Sequence, residues 1–158
     1  MIPAPKSPQK VSEEGVSFIA DYESYVPTPE DDGYGNLTVG YGHVVQIGEN
    51  FSMLSKEEAL QLLAQDLAGW EKAVADYSAS IGIVWDQNQY DAFVSLAFNS
   101  GYNFRTVMDD IVAGVSPHEA FGQIIKASGK PSLGLYRRRM DEADIFVYGT
   151  YERTYRNW

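Results

Sequence analysis

Glu23-Ser-Tyr-Val-Pro-Thr-Pro-Glu-Asp-Asp32-Gly-Tyr-Gly-Asn-Leu-Thr38-Val-Gly-Tyr-Gly-His43 is the stretch on which the fold of this chain turns. Just upstream, Val16, Ile19, Ala20 and Glu23 recur at i, i+3, i+4 and i+7, so the first acid closes an apolar helical stripe. Ser12 has the character of an N-cap, and Glu13 and Glu14 suit the positive end of the helix dipole. Pro27 and Pro29 halt the helix, which is expected from about Ser12 to Asp21 or Glu23. Downstream, Asp32-Gly-Tyr-Gly-Asn36 is rich in turn formers and Leu37-Thr38-Val39 in strand formers. Gly40 and Gly42 allow positive φ angles or close backbone approach. The pattern predicts a small antiparallel β element between Asp31 and Val45, entered through a proline-stiffened crossing loop.

Three side chains in this stretch carry chemistry. A carboxyl on an apolar stripe is desolvated, which favours the neutral form a general acid needs, and Glu23 has that position. Asp32 sits with Glu30 and Asp31 in a polar turn, where a carboxylate stays ionised. Thr38 offers a hydroxyl able to hold water. Taken singly, each has an ordinary explanation: a solvated helix-end glutamate, an acidic turn, a strand threonine. Together, a protonated donor, an ionised carboxylate and a water-holding hydroxyl match the needs of glycosidic hydrolysis. Tyr34, Tyr41 and Gly42, close to the acids in sequence, are candidates for the wall of a substrate cleft.

The remainder of the chain is helical in pattern. Ser55-Lys-Glu-Glu58 has the form of a capping box, and Leu60, Leu63, Leu67, Trp70 and Val74 continue an amphipathic helix to about Asp76. Asp86-Gln-Asn-Gln89 opens a second such helix, in which Tyr90, Phe93, Val94, Ala97 and Phe98 predict deep burial up to Gly101. Short helices follow around Phe104–Val112 and after Ser116-Pro117, then a loop over 129–134 and a last helix to Gly149. The expected class is α+β, mostly α. It has two lobes: a small N-terminal lobe with the β element, a long connecting helix over about 55–76, and a helical C-terminal lobe. Residues 12–158 make one domain, and residues 1–11, with three prolines, an extended lead-in or linker.

Composition removes several alternatives. Without cysteine there is no disulfide framework, thiol nucleophile or cysteine-ligated zinc. No apolar run approaches the roughly 20 residues of a membrane helix, and the N-terminus lacks the apolar core of a signal peptide. The net charge is −10, carried almost wholly by residues 1–76, while all six arginines lie at or after Arg105. The first half therefore offers no basic face for phosphates, which argues against nucleic-acid binding.

Glu-(eight residues)-Asp-(five residues)-Thr followed by Val39-Gly-Tyr-Gly-His43 resembles the active-site segment of phage-type lysozymes, glycoside hydrolase family 24. Ser55-Lys-Glu-Glu-Ala59 with Gln65-Asp66, the segment from Asp86 to Gly101, and Gly134-Leu-Tyr-Arg-Arg-Arg139 with Glu142 are similar to later blocks of that family. The resemblance spans nearly all of residues 12–158 and implies a lysozyme-like two-lobed fold. It implies muramidase activity, the cleavage of the β-1,4 bond between N-acetylmuramic acid and N-acetylglucosamine in bacterial walls. Glu23 would then be the acid, Asp32 the carboxylate that assists water and Thr38 its positioning partner. His43 and Asp66 would form a structural ion pair. The expected partner is the peptidoglycan glycan strand, met by a monomer that needs no metal or organic cofactor and binds neither nucleic acid nor membrane. Synthesis would be cytoplasmic and action at the cell wall.

Ser24 replaces a glycine common in the family, and Glu30 a tyrosine. Such changes would also suit a catalytically weak peptidoglycan-binding or scaffolding module. Arg137, Arg138 and Arg139 span less than one helical turn and cannot share a face. One of them is expected in a structural pair, and Arg137 is the candidate for contact with saccharide or stem-peptide carboxylates. His118, beside a helix cap, is expected to be exposed.

Overall fold

The computed structural model describes residues 8–158; residues 1–7, most of the expected lead-in, lie outside the described residues. Helix α1 spans Glu13–Tyr22, and the Ser12 side chain accepts the Gly15 N–H as its N-cap. It buries Phe18, Ile19 and Ala20, with Val16 only partly covered. Strands β1 (Val26–Asp31), β2 (Leu37–Gly40) and β3 (His43–Val44) follow as an antiparallel sheet in that order. The segment expected as a crossing loop is therefore an edge strand. Proline is admitted there because an edge position need not donate to the ladder. The pairing is irregular between Val26 and Glu30, and Pro27 O instead accepts Leu54 N–H at 2.8 Å from outside the sheet.

The connecting helix is two pieces, α2 (Lys56–Asp66) and α3 (Ala68–Ser80), reaching beyond the expected end at Asp76. Ser55 and Glu58 form the reciprocal capping box at its start. The interruption at Leu67 is local: Leu67 N–H still reaches Leu63 O at 3.0 Å, and Glu71 N–H reaches Leu67 O at 2.8 Å. Gly69, a poor helix former, comes two residues after the break.

Helix α4 (Gln87–Ser100) is the buried centre, with every side chain from Tyr90 to Ala97 covered. A single 3₁₀ turn leads to α5 (Phe104–Val112) and then α6 (Pro117–Gly122). Phe93, Phe121, Phe146 and Trp85 form one aromatic cluster among α4, α6 and α7 (Leu133–Tyr148). Part of the expected loop before α7 is a hairpin, β4 (Lys126–Ala127) and β5 (Lys130–Pro131), turned by Ser128 and Gly129 in left-handed conformations. Ser132 caps α7 by accepting Leu135 N–H, so the helix starts before Gly134.

Both ends of the described chain are fastened to α4. Buried Asp91 accepts the Ser12 N–H at 3.1 Å, the Ser12 hydroxyl, and the Tyr151 hydroxyl at 2.6 Å. This seats α1 against the C-terminal lobe, although in sequence it belongs to the N-terminal one.

Candidate active site

Glu23 is the C-cap of α1. Its N–H closes the helix on Ile19 O and Ala20 O, but its own backbone is extended, at φ −96° and ψ 145°. The side chain therefore leaves the apolar stripe that the periodicity assigned to it. It is 25% exposed instead of sealed in the core, and Oε1 accepts a hydrogen bond from Arg138 Nη1 at 3.1 Å. A Cβ added to Gly42, which has φ +82°, would sit 3.6 Å from Glu23 Oε2. The β2–β3 turn thus comes within van der Waals reach of the other carboxyl oxygen, and the positive φ, more than the space, reserves the position for glycine.

Behind Arg138 stands a buried network. Arg138 Nε contacts Glu142 Oε2 at 3.3 Å, and Arg139 Nε contacts Glu142 Oε1 at 2.7 Å. Ser95 Oγ donates to Glu142 at 2.5 Å, and Arg139 Nη2 donates to Asn99 at 2.6 Å. Arg138, Arg139 and Glu142 are all buried. Opposite charges and hydrogen bonds make such burial tolerable, and they hold Arg138 in place from its far side.

Asp32 occupies the exposed β1–β2 turn. Tyr34 N–H donates to it at 2.7 Å and Asn36 N–H at 3.2 Å, with the Asn36 amide at 3.3 Å. These donors, the Tyr34 N–H foremost and then those of Asn36, hold its carboxyl below the usual range, so it is a carboxylate at neutral pH. Thr38 is half-buried in β2, opposite Glu30 on one side and Val44 on the other. The same sheet therefore carries the Asp32 turn, Thr38 and the Gly42 turn, while Glu23 is carried by α1.

The other expected substrate contacts are distributed unevenly. The Tyr34 side chain is 89% exposed, and it is the backbone N–H of this residue that serves Asp32. Tyr41 is half-buried against Tyr25, ring centroids 5.6 Å apart, and burial raises its phenol above the ordinary value. Arg137 meets neither acid; its Nη2 donates to Trp158 O at 3.4 Å. It does border a concavity beside Tyr22, Asn99, Arg138 and Arg156. The arginine that touches the acid is Arg138. Its i, i+4 spacing to Glu142 was a visible signal, but nothing in the sequence told which of three adjacent arginines would point toward Glu23.

His43 Nδ1 lies 2.8 Å from Asp66 and Nε2 lies 2.9 Å from Glu49, so the imidazole bridges two carboxylates. Burial works against its charged form, but the hydrogen bonds to Glu49 and Asp66 outweigh it and raise the pKa. Glu49 is correspondingly lowered, mainly by that imidazole. Glu49 is a partner that sequence spacing did not suggest. His118, expected to be exposed, is half-buried with Nε2 2.7 Å from Asp144. No helix among the described residues is long and apolar enough to cross a membrane.

The chain thus carries a carboxyl held by a guanidinium at the end of α1 and an ionised carboxylate in the β1–β2 turn. Comparison with known proteins places the chain as a whole. The family model described as phage lysozyme matches residues 20–142. The endolysin of Acyrthosiphon pisum secondary endosymbiont phage 1 is 31% identical, over 86% of this chain and 97% of that protein. The Bacillus phage B103 endolysin is 30% identical over 88% of this chain, which spans only 54% of that longer protein. Among solved structures, the endolysin of Escherichia coli O157:H7 phage FAHEc1 is 30% identical with a TM-score of 0.73, covering 90% of this chain and 96% of its own.

Proposed function

This chain belongs to the phage lysozyme family, and from that premise we propose how its own residues perform the family's reaction. It is a lysozyme-type hydrolase that lyses bacterial cell wall by cleaving the β-1,4 bond between N-acetylmuramic acid and N-acetylglucosamine. Glu23 Oε2 gives its proton to the glycosidic oxygen as the bond to the anomeric carbon breaks. Asp32 takes a proton from the attacking water, which the Thr38 hydroxyl positions. One water is consumed: its oxygen bonds the anomeric carbon as its proton passes to Asp32, the proton from Glu23 completes the hydroxyl of the leaving sugar, and proton exchange with solvent returns both carboxyls to their starting states. As Glu23 loses its proton, the new charge develops against the Arg138 guanidinium, a preorganised electrostatic partner.

The observation that carries this assignment is the division of Glu23: Oε1 is held by Arg138 while Oε2 faces the Gly42 turn. Tyr41 and Gly42 form cleft wall, and Arg137 and Arg156 offer guanidiniums for stem-peptide carboxylates in the neighbouring concavity. Residues 12–158 act as one catalytic domain, its lobes joined through α2 and α3. The protein works as a monomer on glycan strands, without nucleic-acid or membrane partners, after synthesis in the cytoplasm.

The deciding measurement is reducing-end release from purified peptidoglycan by wild type and Glu23→Gln, with thermal unfolding of both. The variant keeps its melting temperature and loses at least about a hundredfold in rate, as removal of a general acid requires. A fully active Glu23→Gln would dismiss the assignment.

A further inference from the structure

Asp141 is a buried carboxylate without an assigned task. It is 0% exposed, and the Tyr22 hydroxyl donates to it. Two backbone N–H groups of the C-terminal tail donate as well, Tyr155 at 2.9 Å and Arg156 at 3.0 Å. Three donors from two distant segments converge on one carboxylate, and each offsets part of the cost of burying its charge.

The segments it joins matter. Tyr22 is the last residue of α1, adjacent to Glu23. Two guanidiniums lie over its ring, Arg138 at 5.2 Å and Arg156 at 5.9 Å from the centroid. Arg138 and Asp141 are i, i+3 on α7 and so share a face. That face holds two consecutive residues of α1's end: Arg138 takes the Glu23 carboxyl, and Asp141 takes the Tyr22 hydroxyl. Upstream on α1, Arg153 of the tail pairs with Asp21 at 2.7 Å and donates to Ser17 O at 3.2 Å. Burial, and then Asp141 itself, push the Tyr22 phenol far above its ordinary value, so it remains a neutral donor throughout the working pH range.

We infer that Tyr22 and Asp141 are positioning residues for the reaction: with the tail amides they hold the last turn of α1, and the Arg138 guanidinium stacked on Tyr22, in the register that presents Glu23 to the glycosidic oxygen. Neither residue touches substrate. Their effect passes through the Glu23–Arg138 contact, and the inference rests on Glu23 being the acid.

Tyr22→Phe keeps the ring and removes only the donor to Asp141. Tyr151→Phe is the matched control, since it removes a tyrosine bond to another buried aspartate, Asp91, away from Glu23. Both variants are assayed as full-length protein on soluble peptidoglycan fragments, well below their melting temperatures. Tyr22→Phe lowers kcat about tenfold with KM changed less than twofold, the pattern of an interaction that matters in the transition state. It also displaces the limb of the kcat–pH profile set by the acid by about half a unit or more. Tyr151→Phe loses stability only. Should Tyr22→Phe fail to fold, the isosteric Asp141→Asn is read in the same assays. A Tyr22→Phe or Asp141→Asn enzyme with unchanged kcat and pH profile overturns the inference, leaving a purely structural tie. An inert Glu23→Gln beside a fully active Tyr22→Phe removes the positioning role alone, whereas an active Glu23→Gln removes the assignment beneath it.

Discussion

Arg139→Met tests whether the buried charges behind the acid act as a unit. The substitution removes the 2.7 Å contact to Glu142 and the 2.6 Å hydrogen bond to Asn99. Asn99 is exposed and can turn to water, so its loss weighs little. Glu142 is 0% exposed and cannot. Removing one partner of a buried pair costs about 3–5 kcal/mol. Glu142 keeps Arg138 at 3.3 Å and Ser95 at 2.5 Å, which places the loss near the lower end, about 3 kcal/mol. For a domain of this size that corresponds to a fall of about 6–12 °C in Tm. Urea unfolding should show the loss as a lower midpoint at unchanged slope. Arg139→Met/Glu142→Leu should cost less than the sum of the two single changes, because neither Arg139 nor Glu142 is then left buried without the other. Activity should not follow stability: the double variant leaves Arg138 without its inner partner, so wall hydrolysis stays low. A cost under about 1 kcal/mol for the single change, or a double variant as unstable as the sum of its parts, would refute the idea of a coupled network.

Two further expectations concern the sheet and its anchor. The folded state raises the His43 pKa, so the stability this imidazole contributes is full below its unfolded value of about 6.5 and disappears as pH rises through the folded value. Asp66→Asn should move the NMR titration midpoint of His43 downward, and should destabilise the protein more at about pH 5 than at about pH 8; an unmoved midpoint would mean that Asp66 contributes nothing. Gly42→Ala forces a side chain into a left-handed backbone at φ +82° and 3.6 Å from Glu23 Oε2. It should cost about 1–2 kcal/mol in urea unfolding and slow lysis beyond what the lost stability explains. A variant matching wild type in both respects would contradict this.

What could be read from the chain beforehand followed from local rules. Ser12, Ser55 and Asp86 open helices because each begins a capping arrangement its neighbours complete within one turn. The segment from Tyr90 to Ala97, apolar but for Asp91 and Ser95, is buried because both sides of α4 are covered. What escaped prediction depends on contacts far apart in sequence. Val26–Asp31 has the prolines of a loop, and only a free sheet edge, with Leu54 closing on Pro27, makes it a strand. Glu23 follows its helix in sequence period, but the helix ends one residue before it and the side chain turns aside. Among three consecutive arginines, inward and outward positions are set by where α1 and α4 lie against α7. The partner of the acid was in that sense invisible until the fold was known.

The separation along the chain also bears on synthesis. Arg138 follows Glu23 by 115 residues, and the tail amides that meet Asp141 come later still. A chain that does not yet include α7 carries the acid without the guanidinium that holds it, whereas Asp32 and Thr38 have their partners within the local turn and sheet. Of the three residues, the acid therefore depends most on long-range folding for its support.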